Sequence, residues 1–203
     1  MKIGLLFGSF NPVHSGHLMI AEFFAHFTHL EKIWFVVSPQ NPLKKKETLW
    51  DAKTRLELVA ESISDNPKFE LCDVEFSMKI PSYTYDTLLK LKESYPENEY
   101  TLIMGTDAIA GIEKWKNYEK ILTEFPVNVY RRKGKIKPKL LKKYPLIKVF
   151  KTPKIDISST LIRTYLGYGK SVRYLVPEPI YQKVQALQKK APLSKSVTEQ
   201  KSS

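Results

Sequence analysis

Cysteine is almost absent from this 203-residue sequence, in which Cys72 is the sole example. A lone cysteine cannot close an internal disulfide or form a cysteine-rich zinc site, so an exported disulfide scaffold and a structural zinc module are both excluded. The sequence also lacks an apolar run near the roughly 18 residues that a membrane span needs, and its first residues lack the pattern of a signal peptide. We therefore expect a soluble cytoplasmic protein that does not interact with membranes.

Acidic residues are scarce relative to basic ones, at 21 against 33, which gives a formal net charge of +12. Residues 131–154 hold eleven Lys or Arg and no Asp or Glu, so this segment carries nearly the whole excess. Such a segment is typical of proteins that bind nucleic acid, acidic lipid or a phosphorylated small substrate, and it is also typical of a solvated basic face. Its lysines are not interleaved with aromatic residues suited to base stacking, which weakens the nucleic-acid interpretation.

Short apolar runs alternate with amphipathic stretches along the chain, a pattern that predicts an α/β fold with a doubly wound, mostly parallel sheet. One domain over residues 1–190 is expected, followed by a disordered polar tail at 191–203. Asp51 and Ser82 occupy the positions of helix N-caps. The predicted strands are Lys2–Phe7, Lys32–Val37, Phe69–Cys72, Tyr100–Met104, Val127–Tyr130 and Ile147–Phe150. The predicted helices are Gly16–Thr28, Asp51–Ser64, Thr84–Ser94 and Tyr118–Leu122, with further helices after Ser158 and Pro179.

The stretch GSFNPVHSGHL, residues 8–18, lies where the first strand gives way to the first helix. Ligands of doubly wound sheets bind beyond the carboxyl ends of the strands. Gly8 allows a close backbone approach, and His14 and His17 lie about one turn apart beside the free N–H groups of the helix, which favour an anion. The stretch therefore predicts a phosphate site.

Other interpretations of this stretch are weaker. It lacks the lysine and spacing of a P-loop and the three glycines of a dinucleotide fingerprint. Zinc would require a third protein ligand and usually an i, i+4 histidine pair, so metal ligation and plain structural packing stay open only as minor alternatives.

A second stretch, TPKIDISSTLIR at residues 152–163, places hydroxyl groups just before an apolar helical pattern. Ser158, Ser159 and Thr160 could simply cap that helix. Capping and phosphate binding use the same free amides, however, and Arg163 adds a cation one turn further along. The stretch thus predicts a second contribution to a polyphosphate site.

Together, GSFNPVHSGHL and ISSTLIR resemble the H-x-G-H and I-S-S-T-x-[IV]-R motifs of the nucleotidyltransferase superfamily, which has a Rossmann-like fold. Three further stretches, PSYTYDTL (81–88), MGTDAIAGIEKW (104–115) and YRRKG (130–134), are similar to those of bacterial nicotinate mononucleotide adenylyltransferases. The resemblance covers residues 1 to about 188. It implies transfer of AMP from ATP to nicotinate mononucleotide, giving deamido-NAD and pyrophosphate in NAD synthesis, with Mg²⁺ bound on the ATP phosphates and no metal ligands from protein side chains.

The resemblance implies a role for each matching residue. His14, His17 and Arg163 would be catalytic. Lys44, in NPLKKK after the second predicted strand, is our own candidate for a fourth catalytic residue that bridges the phosphates of both substrates. Trp115 would stack on the pyridine ring, and the Thr84 N–H would meet the nicotinate carboxylate. The implied ATP-binding residues are Gly8, Ser9, Phe10, His14, His17, Gly105, Asp107, Ile157, Ser158, Ser159, Thr160 and Arg163. The implied mononucleotide-binding residues are Asn11, Lys44, Tyr83, Thr84, Trp115, Lys116 and Arg132, with Arg132 on the mononucleotide phosphate.

Alternatives remain. The bacterial pattern usually reads G-T-F-D-P and P-P-H-K, whereas this chain has GSFNP and NPLKKK, so Asn11 and the missing histidine favour nicotinamide mononucleotide as a second candidate substrate. Phosphopantetheine adenylyltransferases share the two main motifs but are shorter and lack the other three stretches. A basic nucleic-acid-binding protein is the alternative from another class, although no nucleic-acid partner is expected. Whether the chain forms a homo-oligomer is left open.

Overall fold

Six strands form one sheet in the computed structural model, which describes residues 1–42 and 49–189. They are β1 (Lys2–Gly8), β2 (Lys32–Val37), β3 (Phe69–Cys72), β4 (Glu99–Gly105), β5 (Val127–Tyr130) and β6 (Ile147–Val149). Their order is β3-β2-β1-β4-β5-β6, and every neighbouring pair is parallel. Parallel strands need crossover connections, and helices supply them here.

Helices cover both faces of the sheet. They are α1 (Ser15–Phe27), α2 (Ala52–Ile63), α3 (Thr84–Ser94), α4 (Thr106–Ala110), α5 (Tyr118–Glu124), α6 (Pro138–Lys143), α7 (Ser159–Gly167) and α8 (Tyr181–Lys189). One hydrophobic core joins α1, α2, α7 and α8 to the sheet, and a second core on the opposite face joins α3 to α6. The doubly wound parallel fold expected from the sequence is confirmed.

Most predicted elements occur within two residues of their expected bounds, and Asp51 caps α2 by accepting a hydrogen bond from the Thr54 N–H at 3.0 Å. The prediction of Ser82 as a cap was wrong. Tyr83 is the N-cap of α3, and the Ser82 hydroxyl donates to the buried Glu75 carboxylate. The short helices α4 and α6 were not predicted. Lys44 and the expected tail at 191–203 lie outside the described residues.

Strand order reverses next to β1, since the chain proceeds from β1 outward to β3 and then returns to place β4 on the other side of β1. In such sheets a crevice opens beyond the carboxyl ends of the strands at this point. Gly8 ends β1 beside Val37 of β2, so the GSFNP loop begins in that crevice. In the described ranges, no helix has the length and apolar character to cross a membrane.

Candidate active site

Two cavities meet at the carboxyl end of β1. The larger, about 420 Å³, is lined by both predicted histidines and is called the histidine cavity. The smaller, about 260 Å³, is lined by Trp115 and is called the tryptophan cavity. Both cavities are lined by Phe7, Gly8 and Ser9, so the end of β1 forms the wall that they share.

The histidine cavity brings together two segments that are far apart in sequence. The loop after β1 supplies one wall, and the start of α7 supplies another. The two are hydrogen-bonded directly, because Arg163 Nη1 donates to the Asn11 carbonyl oxygen at 2.7 Å and Ser159 Oγ donates to the Pro12 carbonyl oxygen at 2.9 Å. The lining comprises Leu6, Phe7, Gly8, Ser9, Phe10, Asn11, His14, His17, Leu49, Tyr130, Arg132, Ser158, Ser159, Thr160 and Arg163.

The imidazole of His17 is held in one orientation by its surroundings. The His14 backbone N–H donates to His17 Nδ1 at 3.2 Å, so a neutral His17 carries its proton on Nε2. The His14 ring stacks on the His17 ring with 3.6 Å between centroids. The Phe10 ring contacts the His17 ring edge-on, with 4.9 Å between centroids. His17 is therefore an oriented hydrogen-bond donor.

His14 is the N-cap of α1 and is 4% exposed. Burial, with a smaller contribution from the charge of Arg132, lowers the pKa of His14 to about 3. Its Nδ1 has no hydrogen-bond partner within the described part of the chain. A Cβ at Gly16 would lie 3.1 Å from that nitrogen and 2.9 Å from Ile155 Cγ2, which explains the glycine of the H-x-G-H motif. His14 thus places a neutral imidazole at the N-terminus of α1.

The loop between β1 and α1 carries local backbone strain. Phe10 has a φ of 44°, a left-handed conformation that is uncommon for a bulky residue. Its ring lies under Gly8, where a Cβ would come within 2.9 Å of the ring. Such conformations persist where surrounding contacts determine them strongly, and they concentrate at functional sites. Phe10 is 2% exposed and supports the His17 ring from within the core.

The start of α7 presents hydroxyls and a guanidinium to the same cavity. Ser158 is the N-cap and accepts a hydrogen bond from the Leu161 N–H at 3.1 Å. Thr160 Oγ1 accepts from Arg163 Nη2 at 3.4 Å, one turn along the helix. Burial lowers the pKa of Arg163, whose guanidinium still carries its charge at neutral pH. Helix N–H groups, hydroxyls and a cation therefore converge on one space.

Arg55 of α2 lies beneath the site and was missed by sequence reasoning. It is fully buried and donates to four backbone carbonyls: Trp50 at 3.0 Å, Ser9 at 2.5 Å, Ser38 at 2.8 Å and Pro39 at 2.6 Å. It thereby ties the loop after β1 to the loop after β2. Its one sequence signal is a charge on the face of α2 that also carries Leu58 and Val59.

The tryptophan cavity gathers four of the residues predicted for the mononucleotide. Tyr83, Thr84, Trp115 and Lys116 all lie in its wall. The Lys116 ammonium is 4.7 Å from the centroid of the Tyr83 ring and 2.9 Å from Asp86 Oδ2. Tyr83 caps α3 without a side-chain hydrogen bond. The aromatic surface and the first turn of α3 therefore face one small space.

Other predicted residues lie elsewhere. Asn11 and Arg132, predicted for the mononucleotide, line the histidine cavity rather than the tryptophan cavity. Asp107, predicted for ribose, is 3.2 Å from Arg132 Nη1 and lines neither cavity. Gly105 is the N-cap of α4, and Ile157 lines a small void behind the histidines.

Chemically, the site suits two phosphorylated ligands that meet at the end of β1. The described wall of the histidine cavity offers imidazole, hydroxyl and guanidinium groups, all of which can donate hydrogen bonds to phosphate oxygens. The described wall of the tryptophan cavity offers an indole, a phenol ring and backbone N–H groups, which suit a planar ring with an anionic substituent.

Comparison with known proteins gives the family. A model described as cytidylyltransferase-like matches residues 5–165. Two curated relatives carry the name "Probable nicotinate-nucleotide adenylyltransferase". One, from Flavobacterium johnsoniae, is 45% identical over 183 residues, which is 90% of this chain and 95% of the relative. The other, from Cytophaga hutchinsonii, is 42% identical over 89% of this chain and 93% of the relative.

A solved structure has the same fold. The nicotinic acid mononucleotide adenylyltransferase of Plasmodium falciparum, complexed with APC, aligns with a TM-score of 0.77 and 25% identity over 93% of this chain and 97% of that chain. With a family model spanning most of the chain and relatives above 40% identity over nearly their whole length, this chain belongs to the nicotinate-nucleotide adenylyltransferase family, within the cytidylyltransferase-like proteins.

Proposed function

We propose that this protein transfers AMP from ATP to nicotinate mononucleotide and releases pyrophosphate, forming the adenine dinucleotide of nicotinate. The family of its relatives supports this activity. The observation that carries the proposal is the convergence of the β1 loop and the start of α7 on the histidine cavity. The two cavities have the polarity that the two substrates require, and they adjoin at Ser9.

The reaction needs little covalent help from the protein. An oxygen of the mononucleotide 5′-phosphate attacks the α-phosphorus of ATP, a new P–O bond forms, and the bond to the departing pyrophosphate breaks. The attacking phosphate is already ionised, so no side chain has to remove a proton. Catalysis then depends on aligning two polyanions and on stabilising negative charge that develops during transfer.

The residues of the histidine cavity are suited to that task. His17 would donate from Nε2 to phosphate oxygens, and the neutral His14 would contact the same phosphates without adding a charge that titrates near pH 7. Arg163 and the α7 hydroxyls would hold the outer phosphates. Arg132, which also lines this cavity, would join them rather than hold the mononucleotide alone.

The tryptophan cavity would take the pyridine ring. Trp115 would stack on it, and the N–H of Thr84 would donate to the nicotinate carboxylate. A backbone N–H only donates, so it suits a carboxylate, which only accepts, better than an amide NH₂. Lys44 remains our candidate for bridging the phosphates.

Mg²⁺ would be carried by the phosphates of ATP. The described wall of the histidine cavity contains no carboxylate, while phosphate oxygens and water are ligands that Mg²⁺ prefers. When bound, the ion supplies neutralisation of charge on the transferring and leaving phosphates. A cytoplasmic location stays a prediction.

The basic segment at 131–154 is engaged in several places within the fold. Lys137 pairs with Glu113 at 2.9 Å, Lys143 pairs with Glu119 at 2.7 Å, and Arg132 faces the histidine cavity. These contacts favour substrate binding and a solvated face over a nucleic-acid surface.

The test is incubation with ATP, Mg²⁺ and one acceptor at a time, following pyrophosphate release. Nicotinate mononucleotide should support turnover, nicotinamide mononucleotide should do so less well, and phosphopantetheine should not. The proposal would be overturned if phosphopantetheine were the one acceptor that supported pyrophosphate release. It would also be overturned if neither mononucleotide supported it.

A further inference from the structure

Glu75 is a buried carboxylate in the wall of the tryptophan cavity to which the proposed reaction gives no role. It is 2% exposed and lies in a short 3-10 turn, Val74–Ser77. Its Oε2 accepts a hydrogen bond from Ser82 Oγ at 2.5 Å, and its Oε1 accepts one from Thr87 Oγ1 at 2.9 Å. Glu75, Ser82 and Thr87 are called the hydroxyl clamp below.

The hydroxyl clamp joins two defined positions of α3. Tyr83 is the N-cap of that helix, so Ser82 is the residue before the cap and Thr87 is the fourth helical residue. In many helices a hydrophobic contact between these same positions fixes the angle at which the chain enters the helix. Here a buried carboxylate makes that connection with two hydrogen bonds. Glu75 therefore links the residue before the cap to the fourth residue of the helix.

That first turn faces the tryptophan cavity. The first N–H groups of any helix lack partners within the helix, and Tyr83 provides no side-chain cap for them. Tyr83 and Thr84 both line the cavity. A small rotation of α3 would move these donors relative to a pyridine ring bound in the cavity. The ring itself would stay in place, because one of its faces would still stack on Trp115.

The clamp also restricts the Ser82 hydroxyl. Its single proton is directed to Glu75, so toward the cavity it can only accept a hydrogen bond. It cannot donate to a carboxylate of the ligand. Recognition of an acid substituent in this part of the wall consequently depends on backbone N–H groups, whose direction the clamp sets.

We infer that Glu75 is a positioning residue that, through Ser82 and Thr87, aims the first N–H groups of α3 at the ring carboxylate and so sets the preference for the acid over the amide. The inference rests on the proposed function, because it assigns the determinant of specificity in that same site.

Positioning and direct electrostatics predict opposite results. A negative Glu75 that acted on the ligand by charge would repel the nicotinate carboxylate, and removing the charge would then tighten binding of the acid. Under positioning, E75A weakens binding of the acid because both clamp bonds are lost. E75Q, which can accept from one hydroxyl and donate to the other, recovers most of that loss.

The experiment measures KM for each mononucleotide and for ATP, together with calorimetric binding of each mononucleotide without ATP, in wild type, E75A, E75Q and T87V. We expect E75A to raise KM and Kd for the acid about tenfold, with KM for ATP changed less than about twofold. The acid-to-amide ratio of kcat/KM should fall correspondingly. T87V keeps the shape of the side chain but removes the hydroxyl, with its bond to Glu75 and its 3.2 Å contact to the Tyr83 carbonyl oxygen, and it should raise KM for the acid about threefold.

S62A is the matched control, because Ser62 is a buried hydroxyl of α2 that donates to the Leu58 carbonyl at 2.7 Å, outside both cavities. It should leave every KM unchanged. The inference would be overturned if E75Q bound the acid more tightly than wild type does. It would also be overturned if E75A raised the KM values for the acid, the amide and ATP by equal factors. If E75A does not fold, an unchanged acid-to-amide ratio in T87V overturns it instead. Failure of the wild type to use either mononucleotide would refute the proposed function. The acid-to-amide ratio of Kd, which calorimetry measures without turnover, tests the role of Glu75 separately.

Discussion

The histidine cavity and the tryptophan cavity share the end of β1, but they are built for different kinds of recognition. The first is walled by imidazoles, hydroxyls and guanidinium groups from segments about 140 residues apart in sequence, brought together by α1 and α7. The second is walled by aromatic rings and the first turn of α3, with a buried carboxylate behind that turn.

Under the proposed function, this difference separates the residues that act on the transferring phosphates from those that select the substrate. A polyphosphate needs many donors whose positions do not change as charge develops, and the stacked, hydrogen-bonded histidines provide rigid donors of that kind. A pyridine ring needs shape and one correctly aimed donor, which a helix terminus provides. Changes in the histidine cavity should therefore reduce kcat, and changes in the tryptophan cavity should chiefly raise KM for the mononucleotide.

The largest effect is expected from His17→Ala. Loss of one oriented donor from a site that stabilises developing charge should lower kcat by about a hundredfold or more. His26→Ala is the matched control, because His26 lies on the same helix, is exposed and pairs with Glu22. Steady-state turnover with saturating substrates measures the effect, and a kcat near that of wild type would contradict the assigned role.

Arg55→Lys should affect both cavities together. Lysine keeps the charge but cannot reach all four carbonyls that the guanidinium contacts, so about 2 kcal/mol of stability should be lost. Both KM values should rise by similar factors, because Ser9 borders both cavities. Urea unfolding and kinetics on Arg173→Lys, which changes an exposed arginine paired with Glu178, provide the control. A rise in one KM alone would show that Arg55 does not support the two cavities jointly.

Trp115→Ala should raise KM for the mononucleotide about tenfold, the scale of one lost ring stack, while leaving KM for ATP nearly unchanged. Trp115→Phe retains an aromatic face and should give an intermediate value. Equal effects on the two substrates would count against stacking in the tryptophan cavity.

Through His14, pH should affect the stability of the fold rather than catalysis. His14 has a pKa of about 3 in the folded protein against 6.5 ordinarily, so between these values the unfolded chain binds a proton that the folded chain does not. The free energy of unfolding is therefore unaffected by His14 above pH 6.5. It decreases as pH falls toward 3, by no more than about 1.4 kcal/mol per pH unit. Urea unfolding of wild type and His14→Gln from pH 7 to 4 should show a steeper decline in wild type. Identical slopes would mean that His14 titrates normally.

Sequence patterns predicted the sheet well because each strand is a short apolar run bounded by polar turns. They singled out most of the polar lining of the histidine cavity because those residues lie in two compact stretches, 8–18 and 152–163, at predicted helix starts. Arg55 and Glu75 escaped prediction for the opposite reason. A charged residue in a helix or a short turn is normally solvent-exposed, and only the partners that each meets across the fold show that it is buried.

The order of the strands and of the longer helices, and the hydrogen-bonding groups that GSFNPVHSGHL and ISSTLIR carry, were determined by the sequence alone, since hydrophobic periodicity and helix-terminus preferences are local properties. The tertiary structure decided the rest: that Arg132 and Asn11 face the histidine cavity, that Ser82 serves Glu75 rather than a helix N-terminus, and that one buried arginine supports both loops. These are contacts between segments distant in the chain, and they exist only once the sheet has closed its two cores.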